Sequence, residues 1–181
     1  MSEQLDVLKL IVSRLDAARV PYMISGSTAM NYYAQPRMTR DIDIVIELVP
    51  DAVGRLVRSL GEDFHYDEDR IHLAAVNRAM FNLIHLPSVI KVDLIVRKDT
   101  PYRAEEFARR RSVTMDDLAI WLVSPEDLIL SKLAWAKNSH SEVQLSDVRN
   151  LAHAVRDLDW TYVERWAAEL TVVQLLKEIH A

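Results

Sequence analysis

The chain has 181 residues, half of them hydrophobic, which is enough for one domain or for one domain with a small appendage. It contains no cysteine, which excludes a disulfide framework, a thiolate nucleophile and a cysteine-ligated zinc site. The net charge of −5 argues against a surface that binds nucleic acid over its whole extent. Neither a signal peptide nor a membrane-spanning run is predicted, so we expect a cytoplasmic protein.

The N-terminal part is predicted to alternate between helices and strands. Apolar residues recur at helical spacing over residues 5–15, which predicts an amphipathic helix that ends near Arg19. A short strand is predicted over residues 22–25 and a second helix over residues 28–34. Gly26 and Ser27 form the turn between them, and the free N–H groups of the helix that follows favour an anion such as phosphate.

Two carboxylates, Asp41 and Asp43, lie in the next predicted strand. Side chains two residues apart in a strand point to the same face, so the two carboxylates are neighbours while Ile42 and Ile44 face the opposite way. Because neighbouring carboxylates repel each other, they need a cation or a shared proton, and a divalent metal ion with oxygen ligands meets that need. The alternative is an ordinary amphipathic strand with a solvated polar face.

The middle of the chain contains a third acid of interest. The predicted elements here are a helix over residues 50–60, a polar loop over residues 62–70, and strands over residues 71–76, 81–85 and 89–96. Asp93 lies in the last of these strands, where an acid is unfavourable unless it is solvated, paired or metal-bound. It is interpreted either as a third metal ligand or as an edge-strand acid that pairs with Lys91.

Strands give way to helices in the last third of the chain. A helix over residues 102–111 and short strands over residues 113–115 and 119–123 complete the predicted core, residues 1–123. Ser124 is then a predicted N-cap, with a proline and two acids in the first turn of a helix that runs to about Lys137. The remaining predicted helices of the C-terminal region, residues 124–181, cover residues 142–156, 162–170 and 172–179.

Basic residues are concentrated in one part of the chain. They are Arg97, Lys98, Arg103, Arg109, Arg110 and Arg111. This set is either a surface for a polyanionic acceptor such as tRNA or an ordinary helix surface that Glu105 and Glu106 partly neutralise, and the second interpretation is favoured.

The motifs taken together resemble those of the polymerase-beta-like nucleotidyltransferase superfamily. They are the Gly-Ser pair at residues 26–27, the Asp-hydrophobic-Asp-hydrophobic sequence at residues 41–44 and the hydrophobic-Asp-hydrophobic triplet at residues 92–94. The Arg-x-Thr-x-Asp-hydrophobic-Asp form at residues 37–43 is similar to that of small prokaryotic members. Residues 124–133 and 146–151 are similar to the AbiEii-like toxin nucleotidyltransferases.

The resemblance implies an α/β (α+β) nucleotidyltransferase fold, in which a mixed sheet is flanked by helices and the C-terminal helical region completes the cleft. It also implies that Asp41, Asp43 and Asp93 bind two Mg²⁺ ions, with Mn²⁺ as an alternative, about 3.5–4 Å apart. Asp93 would bind the ion that activates the acceptor hydroxyl, and would assist its deprotonation.

Further positions are implied to contact the nucleotide. Gly26 and Ser27 would hold its phosphates through backbone and hydroxyl. Apart from the resemblance, Arg37 and Arg40 flank the acids and could either contact phosphates or merely balance charge. Lys132 would meet the triphosphate and Asp147 would lie near it. From the residues alone, Lys132 could also be an ordinary solvated lysine, and Asp147 could pair with Lys132, with Arg149 or with a helix end.

The implied reaction is the transfer of a nucleoside monophosphate from an NTP such as ATP to a hydroxyl of a protein or tRNA. The toxin-like component of a toxin–antitoxin system, with an antitoxin as partner, is the implied biological setting. Two alternatives stay open: a non-catalytic binding or antitoxin module with this fold, and a nucleotidyltransferase for a small molecule of the aminoglycoside type. For the last, an acidic pocket could be built from residues 62, 63 and 67–69.

Overall fold

The computed structural model describes residues 3–36, 39, 41–139 and 141–180, apart from the side chains of residues 138 and 180. The strands in this part of the chain are β1 (Tyr22–Ile24), β2 (Asp41–Ile46), β3 (Phe64–His65), β4 (Met80–His85), β5 (Ile90–Val96), β6 (Arg111–Met115) and β7 (Leu118–Leu122). The helices are α1 (Glu3–Ala17), α2 (Gly26–Tyr33), α3 (Val53–Leu60), α4 (Glu68–Asn77), α5 (Pro101–Ala108), α6 (Pro125–Ser139), α7 (Glu142–Ala154), α8 (Trp160–Glu169) and α9 (Val173–His180).

The strands form one mixed sheet in the order β3-β4-β5-β2-β1-β7-β6. At its centre, β2 pairs in parallel with β5 and antiparallel with β1. The β4–β5 and β6–β7 pairs are antiparallel, whereas β1 and β7 are parallel. The predicted α/β (α+β) class is therefore confirmed, and the strand that carries two aspartates lies in the interior of the sheet.

The side chains of β2 alternate in burial as the sequence predicts. Ile42, Ile44 and Ile46 are fully buried against the core, while Asp41 and Asp43 are only partly buried on the opposite face. Alternation with period two places every second side chain on one face of a strand. The apolar face therefore fixes the register of β2 and directs its carboxylates away from the core.

The predicted strand over residues 71–76 is wrong, because these residues belong to α4. The Asp67 side chain caps this helix by accepting a hydrogen bond from the Arg70 backbone N–H at 3.1 Å. Ile71, Ala74 and Ala75 are buried at helical spacing. The sequence does not show this spacing, because nearly all of residues 71–76 are apolar. The short strand β3 lies inside the segment predicted as a polar loop.

Two helix boundaries also differ from the prediction. Helix α2 begins at Gly26, with Ser25 as its N-cap, so the predicted Gly-Ser turn is the first part of the helix itself. Helix α5 ends at Ala108, and Arg111 is the first residue of β6. The change in α2 matters for the site because it places Gly26 and Ser27 at a helix N-terminus.

The strands end at Leu122, and the chain that follows is helical as predicted. Helix α6 packs against α7 and α8, and both α6 and α7 also contact α2. The C-terminal helices therefore reach the part of the core that carries the Gly-Ser pair. The division into a core of residues 1–123 and a helical region of residues 124–181 that completes the cleft stays a prediction. In the described residues, no helix has the length and apolar character needed to cross a membrane.

The N-terminus of α6 is fixed by a buried carboxylate, that of Asp127. Its Oδ1 accepts a hydrogen bond from the Tyr162 hydroxyl of α8 at 2.7 Å, and its Oδ2 accepts one from the Ser124 hydroxyl at 2.7 Å. The Ser124 Oγ in turn accepts the Asp127 backbone N–H at 3.1 Å, as the predicted N-cap requires. This polar network joins α6 to α8 in the interior.

Most of the basic cluster is engaged in internal contacts. Arg103 lies 2.7 Å from buried Glu106, and Arg109 lies 3.2 Å from buried Asp127. Arg111 lies 3.1 Å from Glu126, which is 2 % exposed. Buried carboxylates need partners of opposite charge. These arginines therefore hold α5, α6 and β6 together, and the predicted partial neutralisation by Glu106 is present at Arg103.

Candidate active site

The three aspartates predicted as metal ligands lie on one face of the sheet. β2 and β5 are adjacent and parallel, and their register pairs Asp43 with Asp93 and Asp41 with Lys91. Paired residues on neighbouring strands point to the same face, at Cα separations of about 5 Å. Asp93 therefore lies beside Asp43, on the side of the sheet that also carries Asp41.

Asp43 is the electrostatic centre of this group. Burial raises its pKa above the ordinary value of 3.8, and the nearby charges of Asp93 and Asp41 raise that pKa further. A hydrogen bond from the Ser27 backbone N–H and the positive charge of Lys132 act in the opposite direction on this pKa. The carboxylate of Asp43 is thus the point at which the strand acids, the α2 N-terminus and the α6 lysine meet.

Gly26 is required at its position for two reasons. Its φ of +58° lies in the left-handed region, which side chains with a Cβ rarely adopt. A Cβ at this position would also lie 2.0 Å from Oδ2 of Asp43. The glycine therefore lets the α2 N-terminus approach the carboxylate, to which the Ser27 backbone N–H donates a hydrogen bond. Phosphate binding by Gly26 and Ser27 stays a prediction.

The two carboxylate oxygens of Asp93 have different surroundings. The residue is 6 % exposed, and its Oδ2 accepts a hydrogen bond from Lys91 Nζ at 2.7 Å. Its Oδ1 is buried and has no hydrogen-bond partner among the residues that the structure describes. The predicted pairing with Lys91 is present, but the alternative of an edge-strand acid is wrong, because β5 lies between β4 and β2. A buried oxygen without a partner is costly and is commonly explained by an ion or a water.

Lys132 and Asp147 form a buried ion pair between α6 and α7. Lys132 Nζ lies 2.6 Å from Asp147 Oδ2, and their side chains are 5 % and 4 % exposed. Lys132 also donates to Gln144 Oε1 at 3.2 Å. The interpretation of Lys132 as an ordinary solvated lysine is therefore wrong, and the alternatives for Asp147 are resolved in favour of Lys132.

The donor set fits a divalent metal ion in its chemistry. In the residues that the structure describes, no three acidic or histidine side chains are gathered closely enough to enclose an ion as they stand. However, within the described residues the Oδ1 of buried Asp93 has no hydrogen-bond partner and the pKa of Asp43 is raised, and both features indicate carboxylates that lack sufficient positive charge. All-oxygen donors are the ligands that Mg²⁺ and Mn²⁺ prefer. Metal binding by Asp41, Asp43 and Asp93 stays a prediction.

Some residues near the site lie outside the described part of the chain, and one partner of Lys132 was not predicted. Arg40, predicted to contact phosphate, and Arg37 lie outside the described residues. Gln144 was not predicted as a partner of Lys132, although it lies three residues before Asp147 and so on the same face of α7. That spacing is the signal that could have identified it.

Comparison with known protein families gives a match over nearly the whole chain. A family model described as "Nucleotidyltransferase of unknown function (DUF6036)" matches residues 3–179. None of the curated proteins matches the chain at a significant level.

Solved structures share the fold at low sequence identity. The antibiotic-resistance factor ANT(2'')-Ia is 15 % identical with a TM-score of 0.60, over 98 % of this chain and 96 % of that chain. The lincosamide antibiotic adenylyltransferase LnuA, solved with lincomycin, is 15 % identical with a TM-score of 0.53, over 86 % of this chain and 99 % of that chain. A candidate nucleotidyltransferase from Thermotoga maritima is 18 % identical with a TM-score of 0.56, over 78 % of this chain and 89 % of that chain. This chain has the nucleotidyltransferase fold.

Proposed function

We propose that this chain, which belongs to the family described as "Nucleotidyltransferase of unknown function (DUF6036)", transfers a nucleoside monophosphate from an NTP to an acceptor hydroxyl. The observation that carries the proposal is the pairing of Asp43 with Asp93 on adjacent parallel strands, with Gly26 pressed against the first of them. This arrangement concentrates negative charge at the N-terminus of a helix, beside a buried lysine. Such a site suits a substrate that arrives with divalent cations and phosphates.

The proposed reaction is an in-line substitution at the α-phosphorus of the NTP. A bond forms between the acceptor oxygen and the α-phosphorus, the bond from that phosphorus to the bridging oxygen of the β-phosphate breaks, and pyrophosphate leaves. Mg²⁺ held by the three aspartates would neutralise charge on the phosphates and lower the pKa of the acceptor hydroxyl. In this scheme Asp93 would assist the deprotonation of the acceptor hydroxyl.

Lys132 supplies the remaining positive charge in this scheme. Its ammonium already acts on Asp43 from α6, so it lies within electrostatic range of the phosphates that the metal ions would hold. Asp147 and Gln144 fix the direction of the ammonium from α7. Stabilisation of developing negative charge by a preorganised cation is a large catalytic effect. Gly26 and Ser27 contribute by holding the α2 N-terminus against the carboxylates.

Two classes of acceptor are candidates for this reaction. The first candidate acceptor is a protein side chain or a tRNA end. With such an acceptor the chain would be an AbiEii-like toxin, paired with an antitoxin in the cytoplasm. This assignment rests on the similarity of residues 124–133 and 146–151. A small-molecule acceptor is the second candidate, because ANT(2'')-Ia was solved with adenylyl-2''-tobramycin and LnuA with lincomycin.

The acids first considered for a small-molecule pocket are not part of this site. Asp63 pairs with Arg14 at 2.6 Å, and Asp67 caps α4. The nearest strand to them, β3, is three strand spacings from β2, or about 14 Å. A cationic acceptor would therefore have to be bound by other residues, which lowers the case for an aminoglycoside.

The proposal is tested by incubating the protein with each α-labelled NTP, Mg²⁺ and one of three acceptor pools: total protein, total tRNA or a panel of aminoglycosides and lincosamides. We expect label in one pool, release of pyrophosphate, and loss of both with EDTA. The Asp43→Asn variant, which keeps the size of the side chain, should lose at least about 10³-fold of the rate.

Each outcome selects one interpretation. Label that survives in Asp43→Asn would show that the activity does not arise at this site. NTP and Mn²⁺ binding without transfer to any pool would favour a non-catalytic binding or antitoxin module. Label in the small-molecule pool alone would replace the toxin-like assignment.

A further inference from the structure

We propose that Lys91 is a resident counter-ion of the carboxylate site, which holds Asp93 when no metal ion is bound and which an incoming divalent cation must displace from it. The inference rests on the proposed function, because it assumes that Asp93 is a metal ligand. It assigns a positioning role to a residue outside the family motifs found in the sequence. Lys91 would act through Asp93 and would not touch the substrate.

The geometry places Lys91 in direct competition for Asp93. Lys91 precedes Asp93 by two residues in β5, so both side chains lie on the same face of the sheet. The register of β2 and β5 also sets Lys91 opposite Asp41. Its Nζ lies 2.7 Å from Oδ2 of Asp93, which is the distance of a charge-assisted hydrogen bond.

Lys91 interacts with the whole acidic group as well as with Asp93. The ammonium donates a hydrogen bond to Asp93 and also interacts electrostatically with Asp41 and Asp43. The positive charge therefore already compensates part of the negative charge of the three acids. A divalent cation at these acids would meet an ammonium at one of its ligand oxygens, and like charges at that distance repel.

The exposure of the lysine is what makes displacement possible. The side chain of Lys91 is 39 % exposed, whereas that of Asp93 is 9 % exposed. The ammonium can therefore turn into solvent while Asp93 stays in place. The other lysine of the site differs in this respect, because the side chain of Lys132 is 5 % exposed and is enclosed between α6 and α7.

A purely structural ion pair would account for these observations less well. A lysine retained only to stabilise a buried acid would be expected to leave neither of its oxygens without a partner. Here Lys91 donates to Oδ2, while Oδ1 is buried and has no partner in the described part of the chain, so only one of the two oxygens is hydrogen-bonded there. The remaining oxygen is the position at which a cation would first gain a ligand.

The test is the affinity for Mn²⁺, measured by electron paramagnetic resonance and by calorimetry on the full chain without nucleotide. We expect Lys91→Gln to bind Mn²⁺ roughly five- to tenfold more tightly than the unaltered protein, because it removes both the competitor and its charge. Lys98→Gln is the matched control, since it makes the same change of charge at an exposed residue just beyond the other end of β5. It should change the affinity less than twofold, because screening is strong beyond about 8 Å.

Two further measurements separate competition from general charge. In an Asp93→Asn background the gain from Lys91→Gln should shrink to about twofold, since the shared ligand is gone. In the unaltered protein, titration with Mg²⁺ should move the Lys91 side-chain ammonium resonance towards that of a solvated lysine, which requires no variant and therefore does not depend on how a variant folds.

The outcomes also distinguish this inference from the proposed function. Mn²⁺ binding that is unchanged or weaker in Lys91→Gln, or a Lys91 resonance that Mg²⁺ leaves in place, would overturn the role of Lys91 and leave the nucleotidyl transfer intact. Absence of Mn²⁺ binding without nucleotide in both the unaltered protein and Lys91→Gln would also overturn the role of Lys91, but it would leave intact a nucleotidyl transfer in which the metal ion arrives with the NTP.

Discussion

Gly26 and Asp43 are in such close contact that the Cα of the glycine faces the carboxylate without room for another carbon atom, since a Cβ would lie 2.0 Å from Oδ2. One residue therefore sets how near the α2 N-terminus comes to the acids of β2. The contact therefore fixes the position of α2 relative to β2 and to the carboxylate of Asp43.

We expect Gly26→Ala to lose nearly all nucleotidyl transfer and about 2 kcal/mol or more of the free energy of unfolding. The added methyl group meets the Asp43 carboxylate, and the φ of +58° is strained for alanine. Gly54→Ala in α3 is the matched control, because the nearest atom to its Cβ is Arg58 Nη1 at 3.4 Å. Alanine there should be neutral or stabilising by up to about 1 kcal/mol. Chemical denaturation checks both, and an unaltered stability of Gly26→Ala would contradict the close contact.

The negative charge of Asp43 should lower the free energy of unfolding when no metal ion is bound. Its pKa in the folded protein is raised above 3.8, so the folded state binds the proton more tightly than the unfolded state. Stability that this group contributes is therefore present below pH 3.8 and is lost as the pH rises through the raised pKa. Asp43→Asn removes the charge and should raise the free energy of unfolding at pH 7 by about 1 kcal/mol in EDTA, while it abolishes transfer.

The pH dependence supplies the check on this prediction. The advantage of Asp43→Asn should shrink as the pH is lowered towards 3.8, where the aspartate of the unaltered protein is protonated as well. A variant that is less stable than the unaltered protein at every pH would show that Asp43 is adequately paired in the folded state.

The buried pair of Lys132 and Asp147 should be strongly coupled in stability. Lys132→Met leaves the Asp147 carboxylate buried without its nearest cation, which should cost about 3–5 kcal/mol. Asp147→Leu should cost a similar amount by removing the carboxylate that lies 2.6 Å from the buried ammonium. The double variant should recover much of the stability, because two apolar side chains can replace a buried pair, but it should recover no activity.

A double-mutant cycle by urea denaturation measures this coupling. Arg165 and Glu105 provide the control pair, since they lie 2.7 Å apart but are 58 % and 38 % exposed. Their coupling should be below about 1 kcal/mol. Strictly additive losses at Lys132 and Asp147 would contradict the pair as the structure has it.

Tyr162 should be a purely structural residue. Its hydroxyl donates to Asp127 Oδ1 at 2.7 Å, and burial followed by this hydrogen bond raises the pKa of the phenol. Tyr162→Phe should lower the free energy of unfolding by about 1–3 kcal/mol, because the buried carboxylate loses a donor. Tyr32→Phe, at a residue that is 43 % exposed, should change stability by less than about 0.5 kcal/mol. A large loss of Mn²⁺ affinity in Tyr162→Phe would contradict the separation of this network from the metal site.

The sequence predicted the central features of the site because they follow from short-range rules. Alternation in β2 separates Asp41 and Asp43 from the buried isoleucines without any knowledge of the rest of the chain. The parallel register that sets Asp93 beside Asp43 is a long-range feature. From the residues alone a third metal ligand was one of two interpretations of Asp93, and the resemblance to a family favoured it.

Other features could not be predicted because they depend on tertiary contacts. Residues 71–76 form an apolar run that fits a strand or a buried helix, and the cap at Asp67 decides between them. Partial neutralisation of the basic cluster by Glu106 was predicted, but the pairing of Arg109 and Arg111 with the buried acids Glu126 and Asp127 was not, because α6 lies far along the chain from the helix that precedes it. The start of α2 at Gly26 depends on the close contact with Asp43, which local propensity does not reveal.

The most direct test of the account is a crystal structure with Mn²⁺ and a non-hydrolysable NTP analogue, with anomalous scattering used to place the metal. We predict anomalous density within about 2.0–2.3 Å of carboxylate oxygens of Asp41, Asp43 and Asp93, with the triphosphate against Lys132. Mn²⁺ found at other residues, or nucleotide bound without any metal at these three acids, would contradict it.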